Sequence, residues 1–68
     1  MKTRVNGEER LIQCNKNISL YEAMKLLGYS SNKVVVELNN LIINSEEWES
    51  KNIKDGDKFE IVSIVGGG

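Results

Sequence analysis

Two asparagine-led turns constrain this chain more than any other feature of its sequence. Asn6-Gly7 lies between "KTRV" and "EERLIQC". A two-residue turn of type I′ needs positive φ at both central positions, and Asn followed by Gly meets that need with least strain, so the pair joins two antiparallel strands. Asn39-Asn40 lies between the β-branched run "KVVVEL" and "LII". Asn tolerates positive φ better than most residues, so this pair turns a second strand back on itself. The run Val34 to Leu38 is nearly continuous in apolar β-formers, which suits a strand covered on at least one face.

Two hairpins need something to cover them, and a helix opening at Ser19 provides it. "SLYE" is a capping box, in which the Ser19 hydroxyl accepts from the Glu22 amide and the Glu22 side chain reaches back. Leu20, Ala23, Met24 and Leu27 follow at i, i+3, i+4 and i+7, an apolar stripe for the core, while Glu22 and Lys25 point away and Leu26 lies off the stripe. Gly28 supplies a left-handed C-terminal cap. Further on, "NSEEWES" reads as a short helical turn capped by Ser45, with Glu46 and Glu47 favoured at its positive end. "DGD" at 55–57 is another turn, and its two carboxylates read as turn formers.

"KFEIVSIV" is the last strand. Alternation puts Phe59 and Ile61 on one face and Lys58, Glu60, Val62 and Ile64 on the other. The first set reads as core. The second changes from charged to apolar toward the chain end, so Val62, Ile64 and Val65 are candidates for docking a partner; cover from a neighbouring loop is the plain alternative. The order is strand, strand, helix, strand, strand, short turn, strand. One helix laid across one mixed sheet of five (or four) strands is the economical α+β solution. The last strand has no hairpin neighbour and is expected in the middle of the sheet. Residues 1–65 then form one domain and 66–68 a flexible tail.

Composition excludes several classes of function. A chain of 68 residues buries only about 60% of the surface its unfolded form exposes, leaving no room for a core and a deep catalytic cavity together. Its 40% apolar and 28% charged content suits a folded domain. Nine basic and ten acidic residues, interspersed, give a net charge of −1 and no basic stripe for nucleic acid. No stretch approaches the roughly 20 apolar residues that span a bilayer, and "MKTRVNGEER" lacks the apolar core of a signal peptide. One cysteine allows no internal disulfide, which suits a reducing compartment, the cytoplasm.

Side-chain chemistry is sparse. There is no histidine, and Cys14 alone builds no zinc site. Nothing in sequence near Cys14 would lower its thiol pKa. No phosphate-binding glycine motif is present. Trp48 is the residue type of an interface anchor, but in so small a domain it reads as core or rim. No catalytic residue and no stably bound cofactor or metal is expected.

What remains is "IVSIVGGG" and the main-chain carboxylate of Gly68. An α-carboxyl titrates near about 3.3–3.7 and is ionised at neutral pH. As a carboxylate it is a poor electrophile, but it can attack the α-phosphorus of ATP and become a good one. Three residues extend at most about 10 Å, and without Cβ atoms Gly66, Gly67 and Gly68 can thread a narrow channel in a partner.

The "VNGEE" hairpin, "VVVELNNLII", "EEW", "DGDKFEIV" and the terminal "GGG" resemble, in that order and over essentially the whole length, the ThiS family of ubiquitin-like sulfur carriers of thiamine biosynthesis. The resemblance implies a β-grasp fold, with the helix packed on one face of the mixed sheet. It implies adenylation of Gly68 by a ThiF-type enzyme using ATP and magnesium, sulfur supplied by a donor such as a cysteine desulfurase, and delivery of the thiocarboxylate sulfur to thiazole synthase, ThiG. Gly67 and Gly68 match the family's terminal diglycine, and Gly66 a third glycine that many members carry. Asn39-Asn40 stands where many relatives have Asn followed by Gly or a charged residue. The small subunit of molybdopterin synthase shares fold, diglycine and chemistry, but tends to be longer and often has prolines before the tail, and this chain has none. A β-grasp module with no carrier role would be indifferent to its last two residues.

Overall fold

In the computed structural model, which describes residues 1–13, 17–29 and 33–63, both asparagine turns form as their sequences require. Asn6 and Gly7 take φ of 50° and 85° and join β1 (Lys2–Val5) to β2 (Glu8–Leu11). Asn39 and Asn40 take φ of 52° and 74° and join β4 (Val34–Leu38) to β5 (Leu41–Ile43). Both hairpins are antiparallel, with Val5 opposite Glu8 and Leu38 opposite Leu41.

The helix α1 (Leu20–Leu26) follows Ser19, whose side chain accepts from the Glu22 amide at 3.1 Å. Two further amides of its first turn, those of Leu20 and Tyr21, donate to the carbonyls of Lys51 and Trp48. The other end closes as a Schellman motif: Tyr29 N–H donates to the Met24 carbonyl and Gly28 N–H to that of Lys25, with Gly28 at φ 95°. Leu20, Ala23, Met24 and Leu27 are buried, and Leu26 is exposed.

A single turn of 3-10 helix (Ser45–Glu47) occupies the "NSEEWES" stretch. Its N-cap is Asn44, not Ser45, and no side chain caps it. Docking of Trp48 sets the turn instead. That side chain is buried, and its indole N–H donates to the Ile43 carbonyl at 3.1 Å. Two strands of two residues each, β3 (Ile18–Ser19) and β6 (Asn52–Ile53), pair antiparallel beside the helix start and form a second small sheet that the sequence reading lacks.

The last strand, β7 (Lys58–Ser63), lies in the middle of the main sheet, whose order is β2-β1-β7-β4-β5. It pairs parallel with β1 and antiparallel with β4. Phe59 and Ile61 are buried with Val5, Val36 and Leu38 against the helix stripe. The main sheet is thus five-stranded and mixed.

Candidate functional site

The register of β7 with its neighbours fixes what lies on the sheet face away from the helix. Val62 is opposite Val35, and Glu60 opposite Glu37, across the β7–β4 pair. Ile42 is opposite Glu37 across the β4–β5 pair, and Arg4 opposite Lys58 across the β1–β7 pair. Strand alternation places Val35 and Val62 side by side on this face at the C-terminal end of β7, with Ile42 one row further in, level with Glu37 and Glu60. Val62 and Ile42 are each 63% exposed, so no described loop covers Val62. Toward the start of β7 the face is charged, with Arg4, Lys58 and a Lys2–Glu9 ion pair at 3.5 Å.

The start of β7 is anchored to the second hairpin turn and to the 55–57 turn. At the start of β7, Asn39 N–H donates to the Lys58 carbonyl at 2.8 Å, and Lys58 N–H donates to Asn39 Oδ1 at 3.0 Å. Asn39 Nδ2 donates to Asp57 Oδ1 at 3.0 Å, and Asp57 Oδ2 accepts from the Lys54 amide at 2.7 Å. Asp57 is buried, and Asp55 accepts from the Lys2 amide at 2.7 Å. Asp57 thus closes the 55–57 turn on the Lys54 amide, while Asp55 ties that turn to β1.

An open groove of about 290 Å³ at this same end is lined by Asn17, Leu38, Asn39, Lys51 to Lys54 and Asp57. It is polar and lies at the strand end opposite the exit of β7. Among the described residues no cluster of metal-ligating side chains is found, and no buried side-chain nitrogen or oxygen lacks a partner. No helix among them is long and apolar enough to cross a membrane.

Of the predicted site residues, Val62 is brought to an exposed apolar patch. Ile64, Val65, Gly66, Gly67 and Gly68 lie outside the described residues, as does Cys14. Val35 and Ile42 complete the patch and were not singled out from the sequence. Strict two-residue alternation back from the Asn39-Asn40 turn was the signal that could have found them.

A mixed five-stranded sheet with a central last strand and one helix laid across it is a ubiquitin-like β-grasp domain. The ThiS family model matches residues 2–68, and the chain belongs to that family, the small sulfur carriers of thiamine biosynthesis. The crystal structure of the thiamine biosynthesis protein ThiS from Geobacter metallireducens superposes with a TM-score of 0.84 at 29% identity, over the whole of both chains. The uncharacterized protein ycf40 of Trieres chinensis is 39% identical over 64 residues, covering 94% of this chain and 85% of its own length. A thiazole synthase of Paramagnetospirillum magneticum is 38% identical over all 68 residues of this chain, a match that occupies 20% of the longer protein.

Proposed function

We propose that the chain carries sulfur on the main-chain carboxylate of Gly68 and is a co-substrate of its partner enzymes rather than a catalyst. The carboxylate attacks the α-phosphorus of ATP, held with magnesium by a ThiF-type enzyme. Pyrophosphate leaves and a mixed acyl-phosphate anhydride forms. A persulfide donor, such as the one a cysteine desulfurase carries, displaces AMP through its terminal sulfur. A thiol then reduces the resulting acyl disulfide, leaving a thiocarboxylate at Gly68. Thiazole synthase transfers that sulfur to its substrate, and an oxygen taken in exchange from the substrate's carbonyl or from water restores the carboxylate.

The geometry supports this division of labour. The five residues 64–68 span at most about 17 Å when extended, so a partner that reaches Gly68 must sit close to the exit of β7. Exposed Val62 and half-buried Val35 lie there with exposed Ile42 one row further in, and apolar area removed from water when a partner docks on this patch would offset the entropy lost when the tail orders. The observation that carries the reading is the family match over residues 2–68 together with that patch. The match to one fifth of a thiazole synthase supports the choice of sulfur acceptor, because there a similar segment and the synthase share one polypeptide.

Intact-protein mass spectrometry tests it. With ATP, magnesium, a ThiF-type enzyme and a cysteine-derived sulfur source, the chain should gain the mass of one oxygen exchanged for sulfur, mapped to Gly68. A chain lacking Gly67 and Gly68 should fold and gain nothing. Equal loading of the truncated chain, or no adenylate on the full one, would refute the carrier reading.

A further inference from the structure

Asn6 does more than turn the first hairpin. In a parallel ladder one residue's N–H and C=O bond to two positions of the neighbouring strand that lie two residues apart. Asn6 N–H donates to the Phe59 carbonyl at 2.9 Å, and the regular next bond would run from Ile61 N–H to the main-chain carbonyl of Asn6. The chain turns away at Asn6-Gly7, and the Asn6 side chain takes that place. Its Oδ1 accepts from Ile61 N–H at 2.6 Å and its Nδ2 donates to the Ile61 carbonyl at 3.1 Å. A side-chain amide thus stands in for a peptide unit and extends the grip on β7 beyond the register pairs of Arg4 and Val5.

We propose that Asn6 is a positioning residue for the tail: its amide clamps β7 at Ile61 and so fixes where the segment that threads into the activating partner begins. The proposal rests on the carrier reading above. From Ile61 onward the opposite edge of β7 is held by β4, through Val36–Ile61, Val35–Val62 and Val34–Ser63. On the β1 side the side-chain bonds of Asn6 hold Ile61. Without them the outer end of β7 is paired on one edge alone and opens more often. In a variant lacking the clamp, where that end is open in most molecules, each backbone residue released must be ordered again when the tail enters a partner, which weakens binding by about five- to thirty-fold.

The choice of residue follows from two demands at once. Position 6 has φ of 50°, which Gly, Asn and Asp accept, but only Asn also offers a donor and an acceptor side by side. Asn6→Gly therefore keeps the turn and removes the clamp. Asn6→Asp keeps the acceptor for Ile61 N–H and sets a carboxylate oxygen against the Ile61 carbonyl.

The test measures two things on the full chain. Amide hydrogen exchange at Ile61, Val62 and Ser63 reads local opening. ATP–pyrophosphate exchange with a ThiF-type enzyme, well below the unfolding temperature, gives KM and kcat for the chain. For Asn6→Gly, exchange at Ile61 should quicken tenfold or more while the β1–β2 amides stay protected. KM should rise about tenfold, with kcat within about twofold, and Asn6→Asp should lie between. Unchanged Ile61 exchange overturns the clamp, and quickened exchange with unchanged KM reduces Asn6 to a structural brace. A wild-type chain that is not adenylated sinks the carrier reading and this role with it. Equal KM for adenylated wild type and Asn6→Gly sinks the role of Asn6 alone.

Discussion

Replacing Val62 by Thr isolates docking from folding. The two side chains have the same shape and both are β-branched, so the strand keeps its preference and its pairing with Val35. Val62 is 63% exposed, so the hydroxyl stays in water in the free chain and stability should change by less than about 0.5 kcal/mol. A partner closing over the patch removes that water. The variant then loses the transfer of one methyl group, about 0.8 kcal/mol, and buries a hydroxyl that finds no partner beside Val35, about 1–3 kcal/mol. Allowing for overlap, the loss is about 2–3 kcal/mol, or about 30–150-fold at 1.4 kcal/mol per tenfold. ATP–pyrophosphate exchange with a ThiF-type enzyme should show that change in KM, with kcat and urea midpoint near those of wild type. Val62→Ile, which keeps the surface apolar, should bind nearly as well as wild type. A KM for Val62→Thr within twofold of wild type would refute docking on this face.

Two further outcomes test the frame that presents the tail. Asp57→Ala leaves the Lys54 amide and Asn39 Nδ2 without their buried acceptor, and should cost about 2–4 kcal/mol by urea denaturation. A chain of this length holds about 3–10 kcal/mol in all, so the variant should be partly unfolded at 37 °C. Glu37→Gln removes one of two like charges that face each other across β4 and β7, and should raise stability by about 0.2–0.5 kcal/mol, a gain that shrinks in 1 M salt.

The elements that local chemistry specifies were legible. Asn-Gly and Asn-Asn took the positive φ values their turns demand, and Ser19 and Gly28 capped α1 at the expected ends. The central place of β7 followed from its lack of a hairpin neighbour. What escaped was set by tertiary contact. β3 and β6 have two residues each, too few for any period to show, and they exist because Ile18 and Ser19 meet Ile53 and Asn52 beside the helix start. Ser45 looked like a cap, but the position of the 3-10 turn follows Trp48 into the core, which makes Asn44 the first residue. The apolar run at 34–38 read as a strand covered on at least one face, and Leu41–Ile43 as its returning partner, with no exposure assigned. An apolar strand at the rim of a one-sided sheet need not be buried, and Leu41 and Ile42 are exposed. That excess of exposed apolar surface is what a partner would use.

On the proposed carrier role, the C-terminal segment would face opposing demands, since its tip would have to reach more than one enzyme while its base stays in one place. The sheet order helps by making the last strand the central one, whose first half is paired with β1 and β4 and whose outer half is paired with β4. The asparagines of both hairpin turns reinforce it, Asn39 gripping Lys58 where β7 starts and Asn6 gripping Ile61 three residues on. Gly at either position would make the turn equally well. Asn makes the turn and also binds the strand that bears the tail. The two residues that define the hairpins are therefore also the ones that hold β7 in register. Gly at position 6 should leave the topology intact while loosening β7 at Ile61, whereas Gly at position 39 also removes the donor that Asn39 Nδ2 gives to buried Asp57.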